Sequence, residues 1–124
     1  MKKSVYTLSF VFLIVAINAC SKENEQALQP KENGSCDTSN ISYSVDVKPV
    51  LQKECYACHS TSIASGGIIL DNYNGVKAAS SAGRLAGAVS HAAGYVPMPL
   101  GQARISDCSV NTIKAWINRG MINN

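Results

Sequence analysis

Apolar positions along the chain fall into three regimes. Val5 to Ile17 is an almost unbroken apolar run, Ser21 to Gly34 (SKENEQALQPKENG) is almost entirely polar, and from Ser42 onward short apolar stripes alternate with loops. In DVKPVLQKECYACH, Val47, Val50 and Leu51 fall at i, i+3 and i+4, which predicts a short helix with one apolar face. Asp46 is its expected N-cap, and Pro49 falls in the first turn, where a missing N–H costs little. STSIASGGIIL reads as a Ser/Gly loop, and DNYNGVKAASSAGRLAGAVS as two short helices broken near Gly83. HAAGYVPMPLGQAR holds Gly94, Pro97, Pro99 and Gly101 and cannot be regular helix. The last element is capped by Ser106, carries Asp107 in its first turn, and presents Val110, Ile113, Trp116 and Ile117 on one face. Arg119 falls in its final turn and Gly120 stops it. No strand-like alternation occurs. The expectation is an all-α domain of short helices and long loops over residues 42–124.

The two N-terminal regimes bear on location. The apolar run is shorter than the about 20 residues a membrane span needs, and Lys2 and Lys3 precede it, as in a secretory signal. It ends at Ile17-Asn18-Ala19-Cys20, a lipobox-like sequence, so residues 1–19 are expected to be a lipoprotein-type signal peptide and Cys20 the lipidated first residue. A plain signal peptide or anchor with an incidental Cys is the competing reading. Residues 20–41 then form a flexible tether, with Cys36 near the start of the domain; SKENE resembles the export signal that places some Bacteroidota lipoproteins on the outer leaflet. Cleavage before Cys20 removes 19 of the 124 residues and leaves 105, one small domain. It also removes Lys2 and Lys3, so 9 basic residues face 8 acidic ones instead of 11. With so little net charge and no basic patch, a nucleic-acid partner is not expected.

Of the five cysteines, four remain to be assigned. Cys55, Cys58 and His59 in KECYACHS form the pattern C-x-x-C-H. Two thiols three positions apart reach the two vinyl groups of a haem, and the adjacent His supplies the proximal iron ligand. Zinc would need four protein ligands, and no second C-x-x-C occurs; a thioredoxin-like pair would need a βαβ context. Covalent haem attachment takes place on the far side of the membrane, so the export signal and the motif support each other. A core of this size is thin, and a bound haem would add apolar volume to it. With Cys20 assigned to lipid, Cys36 and Cys108 are left, and in an oxidising compartment they are expected to pair; two buried free thiols are the alternative.

The other face of the iron has three candidate outcomes. Met98 lies in YVPMPLG, between two prolines that fix the backbone around a thioether. His91 is the second candidate, an open site the third, and Met121 lies at the chain end. The bland readings are Met98 as a core gap-filler and His91 as a surface or supporting histidine. Arg84 and Arg104 could neutralise haem propionates or simply be solvated charges.

These residues together carry a resemblance. DVKPVLQKECYACHS, GGIILDNYNGV, PMP and SDCSVNTIKAWINRGM resemble the small c-type cytochrome domains of bacterial exported proteins, most closely Bacteroidota and Planctomycete forms, over about Ser42 to Asn124. The resemblance implies a cytochrome c-like fold around one haem c, with the helix before the motif crossing the last helix. It places haem on Cys55 and Cys58, with His59 proximal and Met98 distal. The expected function is one-electron transfer by a non-enzymatic, monomeric carrier that meets redox partner proteins transiently. Its lipid would hold it at a membrane, facing the periplasm or the cell surface. The alternatives are a ligand-binding or peroxidase-type haem domain with an open or displaceable sixth position, and an accessory domain of a larger complex.

Overall fold

The computed structural model describes residues 36–124. The expected signal segment, Cys20 and the tether up to residue 35 lie outside the described residues. Those that are described form helices and loops and no strand, so the all-α expectation holds. A π-helical turn, Tyr43–Val47, runs into α1 (Lys48–Glu54) and α2 (Tyr56–His59). A 3-10 turn at Ser65–Gly67 precedes α3 (Tyr73–Ser81), α4 (Arg84–Val89) and α5 (Asp107–Asn118).

The first helical segment starts earlier than expected. Ser42, not Asp46, is the N-cap: its hydroxyl accepts from the Val45 N–H at 3.4 Å, and Asp46 Oδ2 reaches back to accept from the Ser42 N–H at 2.8 Å. Two groups thus satisfy each other reciprocally, as in a capping box. Pro49 does lie in the first turn of α1. Val47 and Leu51 are fully buried and Val50 is half-buried against them, so the predicted stripe is the core face.

The core is assembled between this segment, α3, α4 and α5. Trp116 and Ile113 from α5 and Val76 from α3 are fully buried. Tyr43 and Trp116 lie with ring centroids 5.4 Å apart, and Tyr73 meets Tyr43 edge-on at 5.2 Å, within the range where aromatic pairs add to simple burial. The last helix packs on the π-helical turn and on α4. Its ends follow the sequence signals: the Ser106 hydroxyl accepts from the Ser109 N–H at 3.1 Å. At the other end Gly120, at φ +89°, completes a Schellman motif, with Met121 N–H bonded to Trp116 O and Gly120 N–H to Ile117 O.

Both chain ends of the domain are tied down. Asn124 Oδ1 accepts from the Tyr43 N–H at 2.9 Å, and Asn124 O accepts from Ser44 N–H and Ser42 Oγ, both at 2.9 Å. These bonds satisfy N–H groups that a helix start leaves without internal partners. At the other end, Cys36 and Cys108 form a disulfide with Cα atoms 5.3 Å apart. Ile41 is buried, and an Arg119 guanidinium N–H donates to Ser39 O. The folded unit therefore takes in residues 36–41, which the sequence assigned to the tether.

Candidate functional site

Cys55, Cys58 and His59 share one short helical turn. The break between α1 and α2 falls at Cys55, whose backbone (φ −126°, ψ −34°) leaves the helical region, and His59 N–H bonds to Cys55 O at 2.9 Å. Neither cysteine is in a disulfide; Cys58 is exposed and Cys55 half-buried. Burial, aided by the neighbouring Glu54 carboxylate, pushes the Cys55 thiol up to about 11. Cys55 is therefore a neutral thiol at physiological pH.

His59 is held from two directions. Its Nδ1 lies 3.2 Å from Ile68 O. A carbonyl only accepts, so Nδ1 carries a proton, and in the neutral ring the lone pair is then on Nε2, which is the tautomer needed by a metal-binding imidazole. Its own carbonyl accepts from the Leu70 N–H at 2.7 Å. The loop that supplies these partners is closed at its neck by Asp71. That carboxylate accepts from the Thr61 N–H at 2.6 Å and from the Thr61 hydroxyl at 2.7 Å. These bonds hold the Asp71 carboxyl below the ordinary carboxylate range.

Met98 stands on a second, separately braced segment. The loop after α4 is anchored to that helix's terminal carbonyls. Ala92 N–H bonds to Gly87 O at 3.0 Å, and His91 N–H and Met98 N–H both bond to Ala88 O at 3.1 Å. The Tyr95 ring lies on the face of Gly87, where an added Cβ would sit 2.5 Å from ring carbons. Met98 is half-buried, its peptide bond to Pro99 is cis, and Val96 and Leu100 on either side are 60% and 69% exposed. His91 Nε2 lies 3.0 Å from Met98 O and, since a carbonyl only accepts, donates to it.

The remaining candidates are placed as follows. Arg104 pairs with Asp107. Arg84 is exposed and borders a cleft of about 160 Å³ between Ile68, Ile69, Ala78 and Ala79. Met121 is half-buried and accepts through its carbonyl from the Tyr73 hydroxyl at 2.7 Å. Among the described residues no three His, Cys, Asp or Glu side chains converge as a metal cage. Ile68, Ala88 and the Thr61–Asp71 pair were not singled out from sequence. The first two act through backbone carbonyls, which every residue possesses. Asp71 could have been suspected only from its place after the GGIIL loop. No protein-family model, curated protein or solved structure matches the chain.

Proposed function

We propose that this chain is a c-type cytochrome that carries single electrons, with haem c attached through Cys55 and Cys58 and ligated by His59 and Met98. The observation that carries the proposal is the His59 Nδ1 to Ile68 O bond inside a C-x-x-C-H turn. It sets the one tautomer that leaves Nε2 available for a proximal ligand, and it fixes the ring's orientation. The donor set fits the group: two thiols free of disulfides on one turn, an imidazole held through Nδ1, and a thioether on a braced loop. Val96 and Leu100 add apolar surface beside Met98.

Haem c supplies, when bound, a reversible one-electron iron couple. The rest of the work falls to the protein. Cys55 and Cys58 would be the covalent attachment points. His59 and Met98 would hold the iron six-coordinate in both oxidation states, and the thioether would favour the reduced one. The Ile68 carbonyl holds the His59 ring, and the Ala88 carbonyl holds the Met98 amide. A small exposed apolar surface suits brief docking by a redox partner. A cytochrome c-like fold, an exported lipoprotein and a monomer belong to the same proposal.

Visible spectra of protein matured with haem test it. The reduced protein should show a c-type haem spectrum, and the ferric protein the weak far-red band of methionine–iron ligation. Met98→Ala should abolish that band and open the iron to carbon monoxide. Ready binding of carbon monoxide by the reduced wild type would instead support the ligand-binding alternative and sink the carrier reading.

A further inference from the structure

His91 occupies an unusual position. Helix α4 ends in a Schellman motif, with Ala92 N–H bonded to Gly87 O and His91 N–H to Ala88 O. His91 is the residue that must take a left-handed backbone there, and it does so at φ +53°. Glycine is the usual occupant because it has no Cβ penalty. Histidine tolerates this region better than most residues with a side chain, but it gives up the ease that glycine would have there. In return the imidazole turns onto the loop, and its Nε2 donates to Met98 O at 3.0 Å.

We infer that His91 is a positioning residue for the sixth iron ligand, its imidazole clamping the Met98 carbonyl so that the thioether stays in place. The inference rests on the ligation proposed above. Met98 is otherwise held by its own N–H on Ala88 O. Its amide and its carbonyl are thus both bonded, which restrains rotation of the peptide planes on either side of the side chain. Removal of the imidazole would free the carbonyl end and make dissociation of the sulfur easier.

His91→Gly separates clamping from stability. Glycine suits the left-handed position, which offsets the lost hydrogen bond, so the denaturation midpoint should stay close to wild type. The ferric protein should nonetheless bind added imidazole, which competes with Met98 for iron, about fivefold more tightly, the factor that corresponds to one typical hydrogen bond. Its far-red methionine–iron band should fade at a lower temperature. His91→Gln places an amide N–H at similar reach and should restore imidazole affinity toward wild type. In the reduced wild-type protein, nitrogen NMR should show the His91 proton on Nε2. Wild-type imidazole affinity in His91→Gly, no recovery in His91→Gln, or a proton on Nδ1 would each overturn the inference. A failure of the ligation reading is distinguishable, because then the wild type itself would lack the far-red band.

Discussion

The Cys36–Cys108 bridge makes the most quantitative prediction. The two cysteines are 72 positions apart, so the bond encloses nearly the whole folded unit. In the chain-entropy model a loop of that size destabilises the unfolded state by about 4 kcal/mol. Both residues are exposed, so serine in their place buries no unpaired polar group and opens no core cavity, and the loop contribution should stand nearly alone. Cys36→Ser with Cys108→Ser should therefore lose about 4 kcal/mol in urea unfolding, with all proteins compared in one cofactor state. At a slope of about 1.5 kcal/mol per molar urea the midpoint would fall by roughly 2.5 M. Each single variant breaks the same bond, so each should lose about as much as the double, a strong departure from additivity. Wild type under reductant should follow the double variant. A loss below about 1 kcal/mol, or single losses that sum to the double, would refute the reasoning, because the bridge would then be adding little constraint to the unfolded chain.

Two further predictions concern the braces around the site. Asp71 titrates below the ordinary carboxylate range because Thr61 donates to its ionised form. A depressed folded value contributes stability that is present above the unfolded carboxylate value near 4 and lost as pH falls through the lowered one. Asp71→Asn should flatten this acid-side loss in unfolding followed between about pH 5 and pH 2, and an unchanged profile would count against the Thr61 contact. Gly87→Ala should drive a methyl into the Tyr95 ring. It should cost about 1–3 kcal/mol and raise amide exchange at Met98, since the Tyr95 ring packs on Gly87 and the Met98 N–H bonds to the adjacent Ala88 O; wild-type exchange there would show that the loop does not depend on the ring.

The helices were legible because they rest on local patterns with one solution. The Val47–Leu51 and Val110–Trp116 stripes bury the faces they announced, Gly83 separates α3 from α4, and Ser106 and Gly120 bound α5. The start of the first segment was less clear because Ser42 and Asp46 are both capping residues. The sequence alone does not say that one caps while the other reaches back. The disulfide followed from compartment logic and is present. The site divides differently. Cys55, Cys58 and His59 announce themselves by spacing, and Met98 by its prolines. The contacts that orient them, Ile68 O on His59 and Ala88 O on Met98, are backbone acceptors chosen by the fold. They carry no residue signature, so a sequence names the ligand candidates but not what aims them.

The end of α4 has a consequence beyond its own stability. Ala88 O serves both the turn at His91 and the amide of Met98, and Gly87 O serves Ala92. Had the helix continued, those oxygens would have been used by its own ladder. The length of α4 thus acts as a ruler that fixes where Met98 stands. Lengthening the helix by one residue or the stretch between residues 91 and 98 resets that ruler, whereas an insertion at the exposed positions 100–103 leaves it untouched. Relatives or designed variants that keep Met98 should accordingly vary in loop length after it and hold it constant before.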